Sequence, residues 1–182
     1  MNDNFTQKEQ RELLKIARQA IESYLETGKI KKFEITDKLK EKRAVFVTLK
    51  NGDKLRGCIG HLEAYKPLAE AVAEMAVATA IDDNRFPSVT LEELPEIKIE
   101  ISVLSPMQKI FDISEIKLSE HGVMIKNSSR GGTFLPEVAK HFNHNLEDFL
   151  NSLCSHKAGL PTNCWRDPKT EIYIFTSYKI NE

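Results

Sequence analysis

Cys58 is the residue best suited to chemistry, because a thiol is a nucleophile and it stands in the run Leu55-Arg56-Gly57-Cys58-Ile59-Gly60. On a β-strand, side chains alternate, so Arg56 and Cys58 share one face. Leu55, Gly57 and Ile59 point to the other face. Two residues along one face lie about 7 Å apart, within reach of a guanidinium. A nearby cation lowers a thiol pKa from about 8.5, so the pattern predicts a nucleophile, with a buried structural cysteine as the alternative.

Two glycines flank the thiol, Gly57 and Gly60. Glycine weakens a strand, and it is found where a bulge forms or where a ligand or another backbone comes close. The glycines therefore indicate either a bend in the strand or a place of close approach to a substrate or partner.

Histidines could supply a base or a metal ligand. Cys58-x-x-His61 could be half of a zinc site and His141-x-x-His144 another half, but nothing gives the paired close spacings of a structural site. The sequence therefore predicts no metal site and no bound cofactor. A Cys–His catalytic pair needs adjacency in space, so three histidines remain open as the base: His61, His121 and His141.

A second group of charges, Asp82, Asp83 and Arg85, comes directly after an apolar segment. Such charges usually form a solvated loop or an ion pair at a helix end. The functional alternative is a polar wall of a cleft.

The elements that position Cys58 can be read from local signals. Thr6 and Glu9 have the capping-box spacing that begins a helix, and Gly28 is placed to end it. Ala44–Leu49 is β-branched and aromatic, and Asn51-Gly52 favours a type I′ hairpin turn. The return strand is then 54–59, which carries the thiol.

Further helices and strands are interspersed along the chain, and the sequence contains no internal repeat. Pro67 suits the first turn of a helix over Leu68–Ile81 that is apolar almost all round, so most of it should be buried. Alternation over Ile97–Val103 predicts a strand with one dry face. We predict four more elements and one turn: a strand at 123–125, a turn at 127–132, a short helix from Pro136 to about Phe142, a helix capped by Asn145 and a strand at 172–178. The hairpin and the alternating strand favour antiparallel pairing and an α+β fold.

Composition limits the function classes. The chain has 182 residues and a net charge of −1, which fits one domain and does not favour nucleic-acid binding. No window is long and apolar enough to span a bilayer, and the N-terminus lacks the features of a secretory signal. Three widely spaced cysteines argue against a disulfide framework. We expect a reducing, cytoplasmic location.

The sequence resembles the AMMECR domain family, called AmmeMemoRadiSam system protein A in prokaryotes. Leu55–Gly60 is similar to the hallmark string of that family, and Asp83-Asn84-Arg85-Phe86 to its Asp-x-Arg-Phe element. Further similar segments follow in the same order: Ile101–Pro106, His121–Ile125, Leu135–Ala139 and Lys157–Pro161. Two departures stand out, Asn84 where proline is expected and Glu137 where glutamine is common. The charge at Glu137 argues against any contact that needs a neutral amide there.

The resemblance implies an AMMECR domain over residues 5–180. Its expected fold is α+β, a single domain of two unequal lobes with mainly antiparallel sheet packed with helices, and its hallmark string lies near a cleft. The resemblance also implies an association with Memo-like and radical-SAM proteins. It implies no settled activity.

Two hypotheses follow. The first is an enzyme or enzyme component acting on an unknown substrate, in which Cys58 is the nucleophile, Arg56 stabilises the thiolate or holds an anion, and Asp83 and Arg85 line the same cleft. The second is a non-catalytic module that docks onto a radical-SAM or Memo-like partner, with Cys58 structural. Residues expected to contribute to binding in either case are Leu55, Gly57, Ile59, Gly60, His61, Phe86 and His121.

Overall fold

The computed structural model describes residues 5–182. It divides into two units, each with its own hydrophobic core. The first unit extends from the N-terminal helix to Leu104 and takes in Tyr178–Glu182, and the second is Ser105–Ser177.

Helix α1, Gln7–Thr27, begins and ends where its local signals predict. The Thr6 side chain accepts a hydrogen bond from the Glu9 N–H, and the Glu9 carboxylate accepts one from the Thr6 N–H at 2.7 Å. Gly28 ends the helix with a φ of 71°, a conformation that glycine adopts without strain. The apolar face of α1 is buried in the first core.

The hairpin of strands β1, Val45–Asn51, and β2, Lys54–His61, differs from the prediction in its turn. Asn51 pairs with Lys54, so the two turn residues are Gly52 and Asp53. A type I′ turn needs positive φ at both positions. Only Gly52 has it, at 58°, so the predicted type I′ turn at Asn51-Gly52 is wrong.

Strands β3, Ile97–Leu104, and β8, Ser177–Asn181, complete the first sheet, whose order is β2-β1-β3-β8. Helix α2, Leu68–Ile81, is buried along most of its length, as predicted. With α1 it packs on the face that carries Val45 and the other apolar residues of β1 and β3. We call the opposite face of this sheet the open face.

The elements of the second unit are β4 Gln108–Ile110, β5 Gly122–Asn127, β6 Arg130–Phe134, α3 Leu146–Ser152 with a π-helical turn Leu153–Lys157, and β7 Glu171–Phe175. Its four strands form a sheet of order β4-β7-β5-β6. Short 3₁₀ helices connect the elements of both units: Asp37–Lys40, Leu94–Glu96, Ile113–Glu115, Pro136–Phe142 and Cys164–Arg166.

Asn145 caps α3 as predicted, its side chain accepting from the Asp148 N–H. Two boundaries in this part of the chain differ from the prediction. The expected turn at 127–132 is shorter, because β6 already begins at Arg130. The expected last strand is two strands, β7 and β8, one in each sheet. All strand pairs whose register is defined are antiparallel, so the predicted α+β fold class is confirmed.

Cys154 and Cys164 form a disulfide, which the sequence did not lead us to expect. The bond joins the π-helical turn to the 3₁₀ helix that begins at Cys164. Both cysteines are buried in the second core, where the chain returns after Gly159. The two cysteines are 10 residues apart in sequence, and they meet only because the chain turns back after Gly159. Cys58 is the free cysteine.

Between residues 5 and 182, no helix has both the length and the apolar character needed to cross a membrane.

Candidate functional site

Cys58 lies on the open face, in a row of side chains that crosses three strands. It pairs with Thr48 on β1, which in turn pairs with Glu100 on β3. Residues directly opposite in antiparallel strands have side chains about 5 Å apart on the same face. The Thr48 hydroxyl donates to Cys58 Sγ at 3.3 Å, and Cys58 is half-buried. The row therefore presents a hydrogen-bonded sulfur on a half-buried residue.

The backbone of Cys58 is bound by the loop that follows α2. β2 is an edge strand, so the N–H and C=O of Cys58 that point away from β1 have no strand to pair with. Asp83 Oδ2 accepts from the N–H at 2.8 Å, and Arg85 Nη2 donates to the C=O at 3.2 Å. Asp83 and Arg85 thus take the place of a neighbouring strand and protect this edge.

Asp83 is a buried carboxylate that stays ionised. Arg85 donates to both of its oxygens, Nε to Oδ1 at 2.8 Å and Nη2 to Oδ2 at 2.6 Å. This guanidinium, assisted by the Cys58 N–H, holds the pKa of the Asp83 carboxyl well below its usual range despite burial. The Asp83–Arg85 ion pair therefore holds the backbone of Cys58 in place.

Arg85 also offers a donor to solvent. Its side chain is 54% exposed, and its Nη1 has no hydrogen-bond partner among residues 5–182. The guanidinium lies over the Phe86 ring, 5.5 Å from the centroid. A guanidinium with free N–H groups is a ready binding site for a carboxylate or phosphate.

Arg56 binds a carboxylate and is not free to stabilise the thiol. Its Nε and Nη2 donate to the two oxygens of Glu93 at 2.6 and 3.0 Å. A bulge separates it from the alternating part of β2, because Leu55 pairs with Lys50 while Gly57 pairs with Leu49. The predicted shared face of Leu55 and Gly57 is therefore wrong.

The close approaches at the two glycines are made within the chain itself. A Cβ on Gly57 would lie 2.7 Å from the carbonyl oxygen of Thr79 on α2, and one on Gly60 would collide with the Phe46 ring. Thr79 also accepts a hydrogen bond from the Ile59 N–H at 3.2 Å. The glycines let α2 and an aromatic ring pack against β2, so they leave no gap for an outside partner.

His61 lies on the helix-covered side of the sheet. It pairs with the buried Val45, three residues from Thr48 on β1, so His61 and Cys58 are on opposite faces. Its Nδ1 is hydrogen-bonded to the Glu63 carbonyl at 2.7 Å, and its ring packs on Tyr65. Burial lowers the His61 pKa. This geometry argues against His61 as the base for Cys58.

The remaining predicted residues divide between the two units. Leu55 is 43% exposed at the far end of β2. His121 belongs to the second unit, where its Nδ1 accepts from the Lys117 N–H at 3.2 Å. His141 is in the second unit as well, in the 3₁₀ helix Pro136–Phe142.

Among residues 5–182, no three His, Cys, Asp or Glu side chains are grouped so that they could hold a metal ion.

Sequence reasoning missed Thr48 and the charges beside it. Lys50 and Lys179 each donate to the Glu100 carboxylate at 3.0 Å. Burial raises the Glu100 pKa, but the two ammonium groups outweigh burial and the net shift is downward. The hairpin was the one sequence signal that could have identified Thr48, because the register of the hairpin determines which residue of β1 faces Cys58.

Comparisons with a family model, with related sequences and with a crystal structure agree with one another. The family model AMMECR1 matches residues 14–180. Protein MK0488 of Methanopyrus kandleri is 42% identical, over 100% of this chain and 92% of its own length. Protein PH0010 of Pyrococcus horikoshii is 41% identical, over 91% of this chain and 85% of its own. The crystal structure of PH0010, titled as that of an uncharacterised protein, has a TM-score of 0.86 at 38% identity and covers 93% of this chain and 89% of its own.

Proposed function

The chain belongs to the AMMECR1 family, and from the geometry around Cys58 we propose that it is a cysteine-dependent enzyme or enzyme component. The observation that carries the proposal is the arrangement of Thr48, Cys58 and Arg85. The sulfur accepts from a hydroxyl at 3.3 Å, and a half-exposed guanidinium is bound to the backbone of the same cysteine.

Each group has a role in this proposal. Cys58 Sγ is the nucleophile or the thiol that captures the substrate. The Thr48 hydroxyl stabilises the thiolate as a hydrogen-bond donor. Arg85 Nη1 binds an anionic group of the substrate, and Asp83 is a positioning residue that holds Arg85 and the Cys58 N–H in place. Arg56, bound to Glu93, has a structural role at the bulge.

The rate of Cys58 alkylation tests the nucleophile. Without reductant, Cys58 is the free thiol, so iodoacetamide labels a single site. We expect folded protein to react faster at pH 7 than denatured protein. Thr48→Val should slow the reaction by about 2- to 10-fold, the value of one hydrogen bond, and Thr48→Ser should restore it. Equal rates in folded and denatured protein would exclude a reactive thiolate.

The charge of the reagent tests Arg85. Iodoacetate is anionic and iodoacetamide is neutral, so the ratio of their rates measures attraction of an anion to the site. We expect Arg85→Gln to lower the ratio of the iodoacetate rate to the iodoacetamide rate. Lys54→Gln, an exposed change on β2, the strand that carries Cys58, should leave this ratio unchanged. If Arg85→Gln does not change the ratio, Arg85 does not bind the anionic group of the substrate. The reactivity of Cys58 is tested separately by the alkylation rate.

A second candidate function is a docking module for a radical-SAM or Memo-like protein. Two observations favour it. Cys58 Sγ has a hydroxyl as its hydrogen-bond partner among residues 5–182, with no imidazole or carboxylate bonded to it, and Leu55 is an exposed apolar side chain three residues before it in β2. In this case Cys58→Ser binds the purified partner normally, whereas Leu55→Asp weakens binding. Loss of binding in Cys58→Ser but not in Leu55→Asp would reject the docking role of this end of β2.

A further inference from the structure

The helix side of the first unit carries a groove that the Cys58 site does not use. It lies between α2 and residues 30–35 and has a volume of about 470 Å³. Pockets for small molecules commonly measure about 300–1,000 Å³. The groove is therefore large enough for one small ligand.

The lining of the groove is mainly apolar. Ala69 and Ala73 are one turn apart on α2, and their small side chains leave room along the helix surface. Three larger apolar side chains come from the facing segment: Ile30, Phe33 and Ile35. Ile30 is 38% exposed, which leaves apolar surface in water at the rim of the groove. An apolar ligand would cover this surface.

The charges of the groove are unequal. Lys66 donates to Glu74 at 2.8 Å, so these two side chains neutralise each other. Glu70 is the other acid in the lining, and Lys31 and Lys32 outnumber it. Neither Lys31 nor Lys32 has an acidic partner among residues 5–182, and the Lys31 ammonium lies 5.6 Å from the centre of the Phe33 ring. The rim thus offers cations beside an apolar surface.

We propose that this groove binds a small amphiphilic anion, an apolar chain or ring that carries one carboxylate or similar group. The apolar part packs on Ile30, Phe33 and Ile35 above the buried Ala69 and Ala73, and the anionic group binds Lys31 and Lys32 at the rim. The site lies on the helix side of the sheet, and Cys58 lies on the open face, so the two sites are independent of each other.

Calorimetric titration of the full chain with decanoate tests the proposal, with decanol as the uncharged counterpart. We expect saturable binding of decanoate that is at least about tenfold tighter than that of decanol. The double variant Lys31→Glu/Lys32→Glu should weaken decanoate binding by about tenfold or more. Lys29→Glu, an exposed change outside the lining, should not weaken it.

A second variant tests the apolar surface. Ala73→Leu fills the groove and should abolish binding of both ligands. If this variant fails to fold, the lysine variants, which change exposed side chains, still decide the matter. Absence of saturable binding, equal affinity for decanol, or equal weakening by Lys29→Glu would overturn the proposal. Decanoate should leave the rate of Cys58 alkylation unchanged, so failure here is distinguishable from failure of the proposed function.

Discussion

At the scale of single residues, Asp83 links the stability of the first unit to the geometry around Cys58. Its folded-state pKa lies below the unfolded value of about 3.9 because Arg85 and the Cys58 N–H bind the charged form. A carboxyl group whose pKa is lower in the folded state than in the unfolded state stabilises the fold at pH values above the unfolded pKa. This stabilisation is lost as the pH falls through the folded pKa.

Replacement of Asp83 by Asn should therefore have a pH-dependent effect. At pH 7 we expect Asp83→Asn to lower the free energy of unfolding by about 1.5–3 kcal/mol, the value of hydrogen bonds to a charged group. The difference from the unmodified protein should shrink as pH falls below about 4. Urea unfolding at several pH values measures it, with the exposed Asp82→Asn as control. A deficit that is the same at all pH values would show that the charge of Asp83 is not the cause.

The residue scale also explains why Arg56 pairs with Glu93 and does not bond to Cys58. Alternation holds along a regular strand, and the bulge after Leu55 interrupts it. The guanidinium beside Cys58 comes instead from Arg85, 27 residues further along the chain.

At the scale of elements, the packing of α2 on β2 depends on Gly57. If only the flexibility of the unfolded chain mattered, Gly57→Ala would stabilise the protein by about 0.4–1 kcal/mol. Because the new Cβ would lie 2.7 Å from Thr79 O, we expect instead a loss of about 1–3 kcal/mol from overpacking.

Chemical denaturation of Gly57→Ala measures this loss. Leu55→Ala, an exposed change two residues away, is the matched control and should stay within about 0.5 kcal/mol of the unmodified protein. A stabilised Gly57→Ala would mean that α2 can move away from β2 without cost. The same contact shows that a bulky residue at Gly57 would disturb the fold before it disturbed any partner.

At the scale of the whole molecule, two cores and one disulfide organise the chain. We expect denatured, unreduced protein to show one reactive thiol, that of Cys58, and reduced protein to show three. Titration with a thiol reagent counts them. Three thiols without reduction would contradict the Cys154–Cys164 bond.

Reduction should also lower the stability of the second unit, by about 2–3 kcal/mol for a loop of this size. The double variant Cys154→Ser/Cys164→Ser should reproduce that loss. Cys58→Ser is the matched control, since it removes a thiol that takes no part in the bond.

The sequence by itself determined the elements whose signals lie within a few residues. The capping box and Gly28 fixed both ends of α1, the apolar run fixed α2, and alternation fixed β3. It also predicted that Cys58, Asp83 and Arg85 line one cleft, which stays a prediction, although the structure does bring Asp83 and Arg85 to the backbone of Cys58. The predictions of α1, α2 and β3 are confirmed because capping, burial and pleating depend on neighbours in the chain.

Only the tertiary structure decided the geometry of the site. A turn at Asn51-Gly52 without a bulge would have placed Val45 opposite Cys58; the actual turn and bulge place Thr48 there. The contacts of Cys58 with Asp83 and of Arg56 with Glu93 join residues 25 and 37 positions apart. Register and long-range pairing depend on how whole elements pack, which no local pattern contains.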